Sequence, residues 1–184
     1  LLNTAGKELT PLDYTDISTL FYGDFNELVA TTGSGSRRVY FDAAGMMCSK
    51  TFDEAGRFSE GLAAVKIGDK WGFIDQTGKI VIPPKLESTD VFAYGLARFK
   101  KDGKWGFIDR NGAEVVPAKY SYTGTFSRGL ATVQSGSLWG YIDKTGTEVI
   151  PPQFEVAETF FDGTAVVKTG GKQGLIDNTG KLVI

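Results

Sequence analysis

The hexapeptide KWGFID at residues 70–75 returns unchanged at residues 104–109 and determines how the rest of the chain is interpreted. A third copy reads WGYID at 139–143, and a weakened fourth copy reads QGLID at 173–177. The aspartates that end the four copies are spaced 34 residues apart. A fixed period of this length is typical of a protein built from tandem structural repeats.

Each repeat is predicted to contain three short strands joined by tight turns. The first strand, GLAAVKI at 61–67, is followed by Gly-Asp and then by the Trp-Gly stretch as the second strand. Two-residue connections of this composition favour type I′ or II′ hairpins. The third strand, IVI at 80–82, is predicted to end at Pro83 and Pro84, because proline cannot donate a hydrogen bond to the sheet.

The second turn of every regular repeat reads Asp-x-x-Gly, which predicts a three-residue hairpin loop closed by a left-handed glycine. An aspartate at the first turn position accepts hydrogen bonds from backbone donors two and three residues further on. We therefore interpret these aspartates as turn residues rather than metal ligands. The pairs are Asp75 and Gly78, Asp109 and Gly112, Asp143 and Gly146, and Asp177 and Gly180, and Asp42 takes the same position in the first third.

Strand alternation divides each repeat into two faces. The first face carries a nearly uniform set of small and β-branched side chains, and we predict that it forms the core. On this face the hairpin register places Val65 opposite Gly72, so the glycine is expected to leave room for the valine side chain. In the first regular repeat its members are Ala63, Val65, Gly72, Ile74 and Ile82.

The second face combines aromatic side chains with a lysine, since the same register places Lys66 opposite Trp71. The sequence leaves open whether this face packs on the next repeat or contacts a ligand. A lysine beside a tryptophan could add a cation–π contact in either case. The candidate ligand or partner face consists of Trp71, Trp105, Trp139, Phe73, Phe107, Tyr141, Lys66 and Lys100.

The segments between repeats carry large apolar side chains at two recurring positions, which we expect to fill the gap between neighbouring repeats. These are Leu86, Tyr120 and Phe154, and then Phe92, Phe126 and Phe160. The first third follows the same plan loosely, with Arg38 at the tryptophan position and extra loop residues within 15–24. We divide the chain into degenerate repeats at 1–57 and regular repeats at 58–184, starting near 58, 92, 126 and 160, within one continuous repeat domain.

The expected fold is all-β, with tandem three-stranded antiparallel β-meanders that are each too small to bury their own faces. Stacking of neighbouring repeats would complete the core and produce an elongated or superhelical array. A closed, propeller-like ring is the alternative. The two chain ends fall at similar points of the repeat, so the sequence does not decide between extension and closure.

Composition narrows the possible functions. The formal net charge is −2 and the basic residues are scattered, so nucleic acid is not an expected partner. No apolar run of about 18 residues occurs, so membrane insertion is not predicted. The chain has no histidine and a single cysteine, Cys48. Because histidine is the commonest general base and metal ligand, we predict no catalytic site, no metal and no cofactor.

The recurring pattern Gly-Leu-Ala-x-Val, Trp-Gly-Phe-Ile-Asp-x-x-Gly-Lys and Ile-Pro-Pro resembles the WG, or KWG, repeat family of bacterial proteins. The resemblance is strong over 58–184 and weak over 1–52, and Arg38 and Gln173 depart from the tryptophan that names the family. It implies all-β tandem repeats in a bacterial protein, often exported or envelope-associated. A cytoplasmic location stays open.

The sequence is compatible with three classes of function. The first is a non-catalytic binding or scaffold module that holds a protein partner on the repeat surface. The alternative is a carbohydrate or cell-wall binder, in which each tryptophan offers one platform for a sugar ring. The third is an enzyme, which is not predicted because nothing singles out a carboxylate pair or an activated lysine. The sequence does not indicate an oligomeric state.

Overall fold

The computed structural model describes the strand backbone of three segments in the first third and the whole of residues 52–184. Every regular element in these residues is a β-strand, which confirms the all-β prediction. The described residues form no membrane-spanning helix. The strands are β1 (Tyr14–Phe21), β2 (Asn26–Thr32), β3 (Arg38–Phe41), β4 (Glu54–Ser59), β5 (Leu62–Ile67), β6 (Lys70–Asp75), β7 (Ile80–Leu86), β8 (Ser88–Thr89), β9 (Leu96–Lys101), β10 (Lys104–Asp109), β11 (Glu114–Tyr120), β12 (Tyr122–Thr123), β13 (Leu130–Ser135), β14 (Leu138–Asp143), β15 (Glu148–Phe154), β16 (Val156–Ala157), β17 (Thr164–Thr169) and β18 (Lys172–Asp177).

The chain forms two compact units, Leu1–Leu86 and Glu87–Ile184. The first unit contains the sheets β1-β2-β3 and β4-β5-β6-β7, and the second contains β8-β9-β10-β11, β12-β13-β14-β15 and β16-β17-β18. Neighbouring strands are antiparallel and follow chain order. The predicted tandem meanders are therefore confirmed, whereas the division at residue 57 stays a prediction.

The regular sheets contain a short strand that was not predicted. Strands β8, β12 and β16 are two residues long and pair with the first strand of the central hairpin. A strand this short has no alternation for a sequence pattern to reveal. In the first third, β1 occupies most of segment 15–24, where extra loop residues were predicted, and it pairs with β2.

The prediction that the third strand ends at the prolines is wrong. Strand β7 runs through Pro83 and Pro84, and β11 and β15 likewise contain their prolines. Phe73 pairs with Ile82 and Trp71 with Leu86, so the outer strand carries extra residues between these two pairs. A bulge on an edge strand requires no donor from the proline positions, and the strand continues.

The central hairpin has the predicted register, with Lys66 opposite Trp71 and the equivalent pairs in the later sheets. Asp102 and Gly103 both have positive φ, at 50° and 72°, as a type I′ turn requires. In the second turn Gly78 has a φ of 76°, which is the predicted left-handed position.

The recurring aspartates bind backbone amides of their own turns. Asp75 Oδ1 accepts hydrogen bonds from the backbone N–H groups of Thr77, at 2.9 Å, and Lys79, at 3.0 Å. The donors lie two and four residues further on, because the amide of Gly78 donates to the Asp75 carbonyl instead. The pattern recurs at Asp109, Asp143 and Asp177. Asp42 lies outside the described residues.

Both faces of the sheets contribute to the core in the second unit. Ala131, Val133 and Ile142, on the predicted core face, form one buried cluster with Phe107 and Val116 of the preceding sheet. The following pair of sheets repeats this arrangement with Ala165, Val167, Ile176, Tyr141 and Ile150. The second face of one sheet therefore packs on the core face of the next, and neighbouring repeats complete the core as predicted.

The aromatic side chains between repeats fill these interfaces. Tyr120 and Phe126 lie in the first of the two clusters, and the ring centroids of Phe107 and Phe126 are 4.7 Å apart. Phe154 and Phe160 belong to the second cluster. The prediction for the recurring aromatics is thus confirmed within the second unit.

The bulge moves one residue to the other face of the sheet. Ile82 is paired with Phe73 and so shares its face, which corrects the predicted placement of Ile82 beside Ile74. Ile80 pairs with Ile74 and packs against the core cluster of this sheet instead.

The glycine of the Trp-Gly motif accommodates this bulge rather than a core side chain. A β-carbon on Gly72 would lie 2.4 Å from the carbonyl oxygen of Ile82 and 2.8 Å from the nitrogen of Pro84. Gly106 and Gly140 meet the equivalent backbone atoms at the same closest distance of 2.4 Å. The expected contact with Val65 is therefore not the reason for glycine here.

Replacing Gly72 by alanine is expected to destabilise the protein by about 1–3 kcal/mol, because the backbone of β7 must move away from the new methyl group. The shift is measured as a lower midpoint of urea unfolding. Gly56→Ala is the matched control in the same sheet, since its β-carbon would meet nothing closer than 3.4 Å. Equal midpoints for the two variants would contradict this explanation.

The Asp143 turn makes stability depend on pH. The pKa of the Asp143 carboxyl is held below its usual value, chiefly by the hydroxyl of Thr145, whose Oγ1 donates to Oδ1 at 2.6 Å. Because the folded pKa is the lower one, the stabilisation is present above the unfolded pKa and is lost as the pH falls through the folded value.

We therefore expect the urea midpoint of the wild-type protein to decrease when the pH is lowered below about 4. The Asp143→Asn variant should start with a lower midpoint at pH 7 and lose less of it on acidification, because the charged acceptor is absent. The turns at Asp75 and Asp177 are retained in both proteins, so the difference isolates one aspartate. Superimposable pH profiles would rule out this contribution.

Candidate functional site

The predicted ligand face is buried except near the hairpin end of the sheets. Phe73, Phe107 and Tyr141 are exposed by 1% or less, so the packing alternative holds for these three side chains. The Tyr141 hydroxyl donates to the carbonyl oxygen of Glu158 at 2.7 Å, and burial raises the pKa of Tyr141. The tryptophans, which lie nearer the hairpin turn, are only half-buried, and they are Trp71, Trp105 and Trp139.

In the second unit, two tryptophans are linked by Tyr122. The Tyr122 ring centroid lies 6.5 Å from that of Trp105 and 5.6 Å from that of Trp139, edge to face in both cases. The tyrosine is 42% exposed. We call Trp105, Tyr122 and Trp139 the aromatic ladder.

Tyr122 was not predicted from the sequence. It lies on β12, one of the two-residue strands, and the equivalent positions are occupied by Ser88 and Val156. A comparison of repeats therefore finds no shared aromatic residue at this position. The only sign of it in the sequence is a tyrosine within the segment that connects two repeats.

Arg98 packs against two rings of the aromatic ladder and is itself fixed by hydrogen bonds. Its guanidinium carbon lies 5.2 Å from the ring centroid of Trp105 and 5.7 Å from that of Tyr122. The Nε atom donates to Asp90 Oδ2 at 2.9 Å, Nη2 contacts the same oxygen, and Nη1 donates to the carbonyl oxygen of Thr123. Desolvation lowers the pKa of Arg98, but the hydrogen bonds to Asp90 and Tyr122 outweigh it and raise the pKa. The guanidinium therefore stays charged.

The two predicted lysines lie over tryptophan rings. Lys66 Nζ is 5.8 Å from the Trp71 ring centroid, and Lys100 Nζ is 5.8 Å from that of Trp105. Lys66 also pairs with Glu54 at 2.7 Å. At exposed positions a cation–π contact contributes about 0.5–1 kcal/mol. Lys100 therefore belongs to the surface of the aromatic ladder, whereas Trp71 and Lys66 form a separate contact in the first unit.

The acidic residues that recur in the turns have structural partners. Among residues 52–184, no group of three or more acidic or cysteine side chains is placed to hold a metal ion. The aspartates that recur in the turns bind backbone amides of their own turn. The surface that combines exposed aromatic rings with cations is consequently the candidate site.

The comparison with solved structures shows similarity in fold. The chain is similar to Hsv2 of Kluyveromyces lactis with loop 6CD replaced by a Gly-Ser linker, with a TM-score of 0.51 and 10% identity over 92% of this chain and 66% of that chain. It is also similar to the selenomethionine-substituted virginiamycin B lyase of Staphylococcus aureus, with a TM-score of 0.44 and 16% identity over 94% of this chain and 71% of that one.

A search of curated proteins finds no match to the chain. The family described as WG containing repeat matches it four times, at 49–71, 71–105, 105–139 and 139–172. Three of the boundaries fall on Trp71, Trp105 and Trp139, which start equivalent stretches of the central hairpin. The chain therefore belongs to the family of WG-repeat proteins.

Proposed function

We propose that this chain is a non-catalytic binding module that holds a protein partner on the aromatic ladder. The observation that carries the proposal is the exposure of Tyr122 between two half-buried tryptophans, with Arg98 beside them. Tryptophan, tyrosine and arginine are the residues enriched at the energetic hot spots of protein interfaces. A partner that covers this surface would bury aromatic area on residues of the preferred types.

The rigidity of the ladder also supports this function. Tyr122 is confined by both tryptophans, and Arg98 is fixed by its hydrogen bonds to Asp90 and to the Thr123 carbonyl. Side chains already held in one position lose little conformational freedom on binding. The side chains of this surface are therefore preorganised, and a partner would not have to order them on binding.

A carbohydrate ligand is the alternative, and the row of aromatic rings is the observation in its favour. Sugar rings stack on open aromatic faces. Arg98 and Lys100 already lie over the ring of Trp105, and Tyr122 meets both tryptophans edge to face. These contacts leave less open ring surface for a sugar, so a protein partner is better supported. An exported or envelope-associated location stays a prediction from the family resemblance.

Peptide selection tests this proposal. Randomised peptides displayed on phage are selected on the immobilised chain, and the dissociation constants of synthetic copies are measured by titration calorimetry. Tyr122→Ser and Trp139→Gln are each expected to weaken binding by about tenfold or more, as loss of a hot-spot side chain does. Both changes introduce residues that other repeats carry at these positions, Ser88 and Gln173, so the fold should be retained.

Phe161→Ser is the matched control. Phe161 is 80% exposed in the turn before β17, outside the aromatic ladder, and Ser127 occupies the equivalent position in the preceding repeat. This change should leave the dissociation constants unaltered. Dissociation constants that are unchanged in both Tyr122→Ser and Trp139→Gln would overturn the proposal. Retention on cell-wall polysaccharide without any peptide binding would favour the carbohydrate alternative.

A further inference from the structure

The hairpin tips of the central strands bind carboxylates of the chain itself. In three sheets, an acidic residue just before the outer strand accepts a hydrogen bond from a backbone amide of the hairpin tip, and Glu87 accepts one from each of the two tip amides. The contacts are Gly68 N to Asp53 Oδ2 at 2.7 Å, Asp102 N and Gly103 N to the two oxygens of Glu87 at 2.7 and 3.1 Å, and Gly171 N to Glu155 Oε1 at 3.1 Å.

The sheet β12-β13-β14-β15 has the same backbone hydrogen bond before its outer strand but no carboxylate there. The amide of Ser121 donates to the carbonyl oxygen of Gln134 at 2.9 Å, as the amides of Asp53, Glu87 and Glu155 donate in their own sheets. Serine is too short to reach the tip in the way that the acidic side chains do. Its tip residues are Gly136 and Ser137, and Gly136 has a φ of 61°, close to the 65° of the capped Gly68.

This uncapped tip lies next to the aromatic ladder. Ser121 directly precedes Tyr122, and Leu138, which follows the tip, directly precedes Trp139. Gly136 and Ser137 are exposed, and Leu138 is 39% exposed. A segment that covers Tyr122 and Trp139 therefore passes two backbone amides, and the equivalent of each holds a carboxylate in two of the other three sheets.

We infer that the Gly136–Ser137 tip receives a carboxylate from the partner, so that the bound segment carries Asp or Glu beside an apolar or aromatic residue. The inference rests on the proposed function, since it names the chemistry of the partner at the same surface. Hydrogen bonds to a charged acceptor are the stronger ones, and the preformed tip presents its donors without rearrangement. The aromatic ladder then supplies the apolar contact and the tip supplies selectivity for the acidic residue.

A variant of the protein alone tests whether this tip accepts a carboxylate. Ser121→Glu recreates the cap found in the other three sheets, and Ser121→Gln is the uncharged control of similar size. We expect a higher urea midpoint for Ser121→Glu than for Ser121→Gln at pH 7, with the difference disappearing at pH 3, where the glutamate is protonated. Equal midpoints at pH 7 would overturn the inference without any reference to a ligand.

The binding test uses two libraries of capped nonapeptides, with a central Glu in one and a central Gln in the other, flanked by randomised positions. Peptides from the Glu library are expected to bind, and changing their Glu to Gln should weaken binding by about tenfold. Ser121→Glu should remove this preference by filling the tip, and Ser121→Gln should retain it. The pairwise effect in such a cycle isolates the contact between peptide carboxylate and tip.

The failure of this inference can be distinguished from failure of the proposed function. Equal affinity for Glu and Gln peptides, combined with loss of binding in Tyr122→Ser, would overturn the carboxylate site and leave the aromatic ladder as the binding surface. A Glu preference that persists in Ser121→Glu would place the carboxylate elsewhere and overturn the inference. Peptides that bind independently of both Tyr122 and Ser121, or no peptide binding at all, would count against both proposals.

Discussion

The close approach of the bulged third strand to a glycine is the constraint on which the rest of each regular sheet depends. With backbone atoms of β7 only 2.4 Å from where a β-carbon of Gly72 would lie, no other residue fits without movement. The bulge lets an edge strand carry prolines, and it restores pairing at Trp71 and Leu86. In the second unit the same register places Tyr120 beside Trp105, where its ring fills the space toward the next sheet. The lack of a side chain at this glycine therefore determines the strand pairing, the use of proline and the filling of the interface between repeats.

The packing of one sheet on the next explains which positions vary between repeats. Positions such as Val133 and Ile142 face the aromatic residues of the preceding sheet and are fully buried, so their size is restricted. The hairpin end of the second face is only half-covered, and here the repeats differ in both size and charge. Variation at Tyr122 and Arg98 is tolerated because the core does not depend on it. The same geometry that builds the fold thus leaves the hairpin end of the second face partly exposed.

The sequence predicted the features that are encoded locally within each repeat. The two-residue loop predicted the hairpin register of Lys66 and Trp71, and the Asp-x-x-Gly pattern predicted the turns. The bulge could not be predicted, because proline usually ends a strand and the compensating glycine lies on a different strand. The aromatic ladder was only partly predicted, since Tyr122 and Arg98 break the repeat, and comparison of repeats finds what they share. The residues of the proposed binding surface are among those that such a comparison discards.

Departures from the repeat that stability does not explain are therefore the ones that point to function. Arg98 stands where Ala64, Thr132 and Val166 stand in the other sheets, so a small neutral residue suffices for the fold. A half-buried guanidinium has to overcome its desolvation, and here it requires the side chain of Asp90 to do so. The Asp90 side chain is 43% exposed, and ion pairs open to solvent contribute little to stability, so the pair is a poor device for stability alone. Its effect is to hold the rings of Trp105 and Tyr122 at the surface, where a partner can contact them. The same reasoning applies to the serine beside Tyr122, where the other three sheets use a carboxylate.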